Sequence, residues 1–274
     1  MRHSAVIFAL FALFFSAAVS CQAAGEGVNE KIFRKVLSAV KGKDTLSTPE
    51  LTLEIARQLL GTPYVAGTLE KEPEELRVYL DSTDCILFVE LCSSFALTVK
   101  SGKPTYSLLK DNIREMRYRN GTVDGYASRI HYTSEWIARN EARGICAEIT
   151  DTLGGIPLDQ EFSYMTRHTD QYRQLDGNPE EVERIWGVEE SLNQKGYSYI
   201  PQNAIAAADI RDGDIICFVS RVPGLDISHV AIACRADDGQ MHFIHASSKA
   251  GEVTMEKRTL EEYASNGIRV VRLL

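Results

Sequence analysis

The sequence lacks the His-Glu-x-x-His and Cys-x-x-Cys segments that are common signatures of protein zinc sites. We therefore expect neither a metal nor a cofactor. It also lacks an excess of positive charge. Its 30 basic and 38 acidic residues give a formal net charge of −8, which argues against a nucleic-acid partner. Beyond the N-terminal region, no apolar run approaches membrane-spanning length.

One apolar run does occur at the N-terminus, over residues 5–15, after a basic residue and before several small ones. It is too short to span a bilayer, so residues 1–20 are expected to be an export signal. The mature chain would then be a periplasmic or cell-envelope protein. The four residues ending at Cys21 have the form of a loose lipobox, in which this cysteine becomes the lipidated N-terminus of a lipoprotein. Cleavage near Ala23 or Ala24 is the alternative.

The remaining residues, 21–274, are numerous enough for one large domain. The first part shows helical periodicity, including a helix that begins with a capping box of Ser47 and Glu50. Short apolar runs between turn residues, typical of strands, follow from about residue 211. Helices before strands predict an α+β fold with an antiparallel sheet. The segment of about 100–205 shows no strand alternation and is predicted to be a large helical insertion.

Cys85 is expected to be the reactive cysteine. Small polar residues precede it and an apolar helical stretch follows it, so the thiol falls in the first turn of a helix, with Thr83 or Asp84 as the N-cap. Free N–H groups and the positive end of the helix dipole stabilise a thiolate there, so we expect a lowered pKa for Cys85. Without Cys21 the chain has five cysteines, an odd number, so at least one thiol stays free.

Two histidines on predicted neighbouring strands can supply a base. A two-residue turn between these strands would set His229 and His245 on opposite faces of the sheet. If residues 237–239 instead form a three-residue loop, residue 236 pairs with residue 240. The two histidines would then share a face as diagonal neighbours, close enough for a hydrogen bond between their rings. The sequence leaves both registers open.

Five motifs, taken in order along the chain, resemble those of the NlpC-type papain-like cell-wall hydrolases. The motifs are Gly61-Thr-Pro-Tyr64, Asp84-Cys85, Asp212-Gly-Asp214, Ser228-His229-Val230-Ala-Ile232 and Phe243-Ile-His245-Ala-Ser247. The resemblance covers roughly a third of the chain. It implies a papain-like fold in which N-terminal helices, with the nucleophile at a helix N-terminus, pack on the antiparallel sheet. It also implies that Cys85 is the nucleophile, His229 the base and His245 the residue that orients the base.

Two departures from that pattern indicate a particular branch. Residues 86–87, Ile-Leu, replace the small pair that usually follows the nucleophile, and about 140 residues separate the cysteine from the first histidine. Together with residues 129–136 and 163–168, these features resemble the N-acetylmuramoyl-L-alanine amidase-like branch. Membership there implies cleavage of the amide bond between muramic acid and L-alanine of peptidoglycan.

The expected reaction is acyl transfer through a thioester, in which Cys85 attacks the amide carbonyl and His229 moves the proton to the leaving amine. We expect the backbone N–H of Cys85 and the side chain of Tyr64 to bind the oxyanion. The remaining candidates for oxyanion or substrate binding are Asp84, Ser228, Tyr132, Trp136, Tyr164 and His168. The expected partner is peptidoglycan or a muropeptide. A cysteine endopeptidase of stem peptides and a non-catalytic muropeptide-binding lipoprotein are the alternative functions.

Overall fold

The structure is a computed structural model that describes residues 27–274. The predicted export signal and Cys21 lie outside the described residues. None of the helices described between residues 27 and 274 has the length and apolar character needed to cross a bilayer.

The described chain forms a central β-sheet with helices packed on both of its faces. The helices are α1 (residues 27–39), α2 (Thr48–Gln58), α3 (Cys85–Lys100), α4 (Tyr106–Arg117), α5 (Thr133–Ala142), α6 (Tyr164–Arg167), α7 (Pro179–Asn193) and α8 (Leu260–Tyr263). The strands are β1 (Cys146–Glu148), β2 (Ile156–Leu158), β3 (Tyr197–Tyr199), β4 (Ile215–Val219), β5 (Ile227–Arg235), β6 (Met241–Ser247), β7 (Glu252–Met255) and β8 (Ile268–Leu273). The predicted capping box of Ser47 and Glu50 opens α2.

The central sheet is antiparallel and has the strand order β1-β8-β4-β5-β6-β7. The α+β class with an antiparallel sheet is therefore confirmed. The four strands predicted from the sequence correspond to β4, β5, β6 and β8. The last of these lies inside the sheet, between β1 and β4, and β7 was not predicted.

The segment of about 100–205 is not only helical, so that prediction is wrong in part. It contains α4 to α7, but also β1, β2 and β3. Strand β1 extends the central sheet by pairing with β8, whereas β2 and β3 pair with each other. Each of these strands has three residues. That is too short for alternation to be visible in a sequence.

Both faces of the sheet are buried. Alternation along β4 sends Ile215 and Cys217 into a core shared with α1 to α5, and Ile216 and Phe218 into a second core. The second core is closed by residues 200–210 and by α8. Helix α3 is buried on almost every side, which agrees with its continuous apolar sequence.

An opening between β5 and β6 accommodates the N-terminus of α3. The β5–β6 ladder ends at the pair Ile232↔Ile244, whereas β6 continues against β7. Beyond this pair, β5 has no ladder partner on the β6 side within residues 27–274. The backbone N–H of Val230, in this unpaired stretch, acts to lower the pKa of the Cys85 thiol. The start of α3 therefore lies next to the unpaired stretch of β5.

Candidate active site

Cys85 is the first residue of α3, and Asp84 is the N-cap. The carboxylate of Asp84 accepts a hydrogen bond of 3.0 Å from the backbone N–H of Leu87. The predicted position of the thiol, in a turn whose N–H groups lack acceptors within the helix, is confirmed. The five cysteines of residues 27–274 are free thiols; four of them are buried, and Cys85 is half-buried. Cys85 is therefore the thiol of the described chain that remains partly accessible.

His229 on β5 and His245 on β6 form a hydrogen-bonded pair. The backbone N–H of Ala236 donates to the carbonyl of Gln240 at 3.0 Å, and Gly239 adopts a φ of 79°. These are the features of the three-residue loop. The resulting register sets both histidines on one face, where Nε2 of His229 lies 2.7 Å from Nδ1 of His245. The second of the two predicted registers is confirmed.

Aromatic rings enclose the histidine pair. The ring of Phe218 stacks on His229 with centroids 5.7 Å apart, and Phe243 meets His245 edge-on at 5.0 Å. Tyr263 of α8 contacts both imidazoles. These contacts fix the orientation of the two rings. Since Nε2 of His229 is bonded to its neighbour, Nδ1 is the ring nitrogen that remains for another partner.

The thiol and the imidazoles are neutral in the free protein. Burial raises the pKa of Cys85 to about 11, and the charge of Asp84 adds to the shift. Burial lowers the pKa of His229 to about 4, followed by the effect of His245, whose own pKa burial also lowers to about 4. The predicted lowering of the cysteine pKa is therefore wrong for this state. The backbone N–H groups, including that of Val230, act in the predicted direction but are outweighed.

Cys85 and His229 line one cavity of about 220 Å³, the nucleophile cavity. The histidine-side cavity, about 330 Å³, shares Ser228 and His229 with it. The helix-side cavity, about 410 Å³, shares Ile86 and Arg129 with it. The shared lining residues make the three cavities neighbours, with Cys85 and His229 in the middle one, and together they are called the cleft. Within residues 27–274, no cluster of three or more histidine, cysteine or carboxylate side chains could hold a metal ion.

The structure places Tyr64 near the thiol. Burial raises the pKa of Tyr64, and the charge that Cys85 would carry raises it further. Its hydroxyl has no hydrogen-bond partner in the described part of the chain, and its backbone N–H donates to the carbonyl of Gly251 at 2.8 Å. The tyrosine is thus fixed through its backbone and keeps its O–H free for a ligand.

Three other predicted contacts line the cleft, and the hydroxyls of two of them, Ser228 and Tyr132, are already engaged in hydrogen bonds. The hydroxyl of Ser228 donates to the carbonyl of Phe218 at 3.3 Å. Tyr132 and Trp136 line the nucleophile cavity, but each is only 2% exposed. The hydroxyl of Tyr132 donates to the Glu189 carboxylate at 2.6 Å. These side chains shape the wall, and the Tyr132 hydroxyl is not available to a substrate.

Tyr164 and His168 are not brought to the cleft. Their rings stack on each other with centroids 4.3 Å apart, and Nδ1 of His168 hydrogen-bonds the carbonyl of Tyr164 at 2.7 Å. Neither residue lines any of the three cavities. The short helix α6 holds them as a local pair, so the predicted substrate contact has no support in the geometry.

Comparisons with known proteins identify the family of the chain. The sequence profile of the AmiA-like, N-acetylmuramoyl-L-alanine amidase-like family matches residues 54–268. The chain belongs to the AmiA-like family. An N-acetylmuramoyl-L-alanine amidase from Bacteroides uniformis has 35% sequence identity and a TM-score of 0.78, and the match covers 83% of this chain and 99% of that one.

Two further solved structures share the AmiA-like architecture. A Bacteroides fragilis protein, solved as a candidate xylanase, is 35% identical with a TM-score of 0.75, over 79% of this chain and 98% of that one. A Legionella pneumophila protein is 22% identical with a TM-score of 0.69, over 92% and 96%, and shows the common fold. Among curated proteins no sequence matches the chain. The family and the amidase neighbour support a hydrolase of the peptidoglycan amidase type.

One residue beside the site of this AmiA-like chain was not found from the sequence. Glu256 follows β7, and its Oε2 lies 3.9 Å from Nε2 of His245. The signal available was the Val253-Thr254 alternation after the turn at Gly251, which would have predicted a strand paired with β6. Without that strand, nothing in the sequence places Glu256 near a histidine.

Proposed function

We propose that the protein is a cysteine amidase that hydrolyses the bond between N-acetylmuramic acid and L-alanine in muropeptides. The observation that carries the proposal is the cavity shared by Cys85 and His229, behind which His245 hydrogen-bonds the base. The AmiA-like family and the Bacteroides uniformis amidase support the choice of bond. The order cysteine, histidine, histidine, with the nucleophile at a helix N-terminus, supports placement among the NlpC-type papain-like hydrolases.

Acylation begins from a neutral pair. The Sγ of Cys85 attacks the carbonyl carbon of the lactoyl group while Nδ1 of His229 takes the thiol proton. Because the pKa of the thiol is about 11 and that of the imidazole about 4, proton transfer accompanies the attack and does not precede it. His229 then gives the proton to the nitrogen of L-alanine. The peptide leaves as an amine, and the muramoyl group remains on the sulfur as a thioester.

The oxyanion of the tetrahedral intermediate is bound at the start of α3. The backbone N–H of Cys85 has no acceptor within the helix, and Tyr64 supplies the second donor. Water then attacks the thioester carbonyl while His229 accepts a proton from it. The C–S bond breaks, His229 returns the proton to the sulfur, and the muramic acid leaves with a free carboxyl group. His245 fixes the tautomer of His229 through the 2.7 Å hydrogen bond in both half-reactions.

Digestion of a purified muropeptide tests the reaction. Wild type is expected to release the free sugar and the intact stem peptide, identified by mass spectrometry. Cys85→Ala should lower kcat by about 10⁴-fold or more, the loss typical for removal of a nucleophile that acts with its base. Cys92→Ala, which removes a buried thiol from the same helix, serves as the matched control and should stay active.

Two outcomes would favour another function. A cut between the D-glutamyl residue and the diamino acid would make the protein a stem-peptide endopeptidase. If wild type and Cys85→Ala both bind the muropeptide and neither releases a product, the protein is a muropeptide-binding lipoprotein.

The proposal also includes export through residues 1–20, with lipidation at Cys21 or cleavage near Ala23 or Ala24 as the two routes. Incorporation of labelled palmitate into wild type but not into Cys21→Ser would establish the lipoprotein. A soluble mature chain that begins after the signal would establish simple cleavage.

A further inference from the structure

The second histidine of the pair has a ring nitrogen that is sealed from solvent and has no hydrogen-bond partner. His245 is only 2% exposed, and its Nε2 is a buried polar atom without a partner in the described residues. A buried polar group without a partner is unfavourable and calls for a specific explanation. The carboxylate of Glu256 faces this nitrogen, with Oε2 at 3.9 Å, which is a charge contact but too long for a hydrogen bond.

Glu256 is held in place by its own neighbours. Its Oε1 accepts hydrogen bonds from the backbone N–H groups of Lys257 and Arg258 at 3.1 and 3.2 Å. The guanidinium of Arg258 binds both carboxylate oxygens at 3.2 Å. Burial raises the pKa of Glu256, but these hydrogen bonds and the charge of Arg258 bring it below its ordinary value. The carboxylate is therefore ionised and aimed at His245.

We propose that Glu256 is a positioning residue that stabilises positive charge on the histidine pair during catalysis. The proposal rests on the cysteine mechanism given above. When His229 takes the thiol proton, its Nε2–H donates more strongly to Nδ1 of His245, and the positive charge spreads over both rings. The Nε2–H of His245 is then attracted to the Glu256 carboxylate. The proton still goes from Cys85 to His229 and on to the leaving amine, and Glu256 stays ionised throughout.

The charged and titratable groups around the pair have opposing effects. Burial lowers the pKa of His245, Glu256 raises it and Arg258 lowers it. The guanidinium of Arg258 lies over the ring of Tyr263, 4.4 Å from its centroid, on the side of α8. Tyr263 and Cys85 are neutral near pH 7, because the pKa of each is raised by burial. Removal of the Glu256 charge therefore leaves the positive charge of Arg258, which lowers the pKa of His245.

Glu256→Gln keeps the size of the side chain and removes its charge. We expect kcat to fall by about ten- to a hundredfold with little change in KM, since the lost attraction acts on charge that develops in the transition state. The acid limb of the kcat/KM profile should move to lower pH, because the pair becomes harder to protonate. Glu256→Asp retains the negative charge, so the acid limb of its kcat/KM profile should lie at the same pH as that of wild type. Glu190→Gln, an exposed position on α7, is the charge-matched control.

A folded Glu256→Gln variant with wild-type kcat and an unchanged acid limb would overturn the inference. If wild type cleaves no muropeptide, the proposed function fails instead, and the charge contact is tested separately by NMR titration of His245 in Cys85→Ala. Addition of Glu256→Gln should lower the pKa of His245. An unchanged pKa would overturn the contact itself.

Discussion

Asp84 has two opposing effects on the nucleophile beside it. As the N-cap of α3 it accepts the Leu87 N–H and so fixes the turn from which Cys85 projects. Its negative charge also raises the pKa of Cys85, as the largest contribution after burial. The same side chain therefore positions the sulfur and keeps it protonated.

Asp84→Asn separates these two effects, because asparagine is as good an N-cap as aspartate. We expect the pKa of Cys85 to fall below about 11, so its alkylation by iodoacetamide should become faster at any pH below that value. The rate of alkylation as a function of pH measures the shift. Asp81→Asn, an exposed carboxylate before the same helix, is the control. An alkylation profile identical to that of wild type would contradict the electrostatic role.

Sequence alone predicted the position of this cysteine but not the sign of its pKa shift. The N-cap, the polar residues before Cys85 and the apolar run after it are local signals, and local signals suffice to place a helix start. The shift depends on burial by segments far away in the chain, including the unpaired stretch of β5 at Val230. The spacing of residues in the sequence does not reveal this burial.

At the scale of elements, the β5–β6 hairpin decides whether the two histidines meet. Because side chains alternate along a strand, a slip of one residue sends a side chain to the opposite face. The loop of residues 237–239 fixes the pairing of Ala236 with Gln240, and with it the hydrogen bond between His229 and His245.

Two single-residue deletions test this dependence. Deletion of Asp237 leaves an Asp-Gly two-residue turn with the pairing of residues 236 and 240 intact, so activity should remain of the same order as in wild type. Deletion of Gln240 removes that pairing and moves His245 away from His229. Activity should fall to the level of Cys85→Ala, while circular dichroism verifies that the fold persists. Equal activity of the two deletion variants would show that register does not control the site.

Elements were predictable in proportion to their length and pattern. The hydrophobic runs of β4, β5, β6 and β8 identified them, and the loop at Gly239 left two registers that only tertiary packing resolves. The three residues of β1 are too few for a pattern, and the four residues of β7 gave only the short alternation at Val253-Thr254, which was not used. The omission of β7 had the larger consequence, since it positions Glu256.

At the scale of the whole molecule, the proposed mechanism implies one orientation of the substrate in the cleft. If His229 gives its proton to the leaving amine, as proposed, the peptide half of the substrate lies in the histidine-side cavity. That cavity is lined by hydroxyl, amide and ammonium side chains, namely Ser247, Ser248, Lys249, Ser265 and Asn266. The muramoyl half then extends towards Arg129. In a chain of formal net charge −8, an ammonium group at this end favours a peptide that carries carboxylates.

Lys249 is exposed and makes no ion pair in the described part of the chain. Lys249→Met should raise KM by about two- to fivefold for muropeptides whose stem carries carboxylates, the size expected of an exposed ion pair. It should leave KM unchanged for N-acetylmuramoyl-L-alanine amide, which has none. Lys195→Met, an exposed lysine outside the cleft, controls for net charge. An equal rise of KM with both substrates would contradict the proposed orientation of the substrate.

The cleft as a whole could not be predicted, because its walls come from α3, β5, the turn between β6 and β7 and the segment between α4 and α7. The order of the motifs along the sequence predicted the roles of Cys85, His229 and His245. The sequence supplied part of the walls, since the predicted residues Tyr132, Trp136 and Ser228 line the cleft. Tyr164 and His168, predicted for the same surface, stack on each other and line none of the three cavities.

The proton that Cys85 retains at rest also bears on how long the protein survives in use. Peroxides and disulfides attack thiolates far faster than thiols, so a sulfur with a pKa of about 11 is a poor target for oxidants in an aerobic medium. In the proposed mechanism the sulfur becomes nucleophilic only when the thiol proton passes to His229 as the amide is attacked. Burial of the thiol thus limits its oxidation at rest, and in the proposed mechanism the thiol reacts only after the substrate has bound.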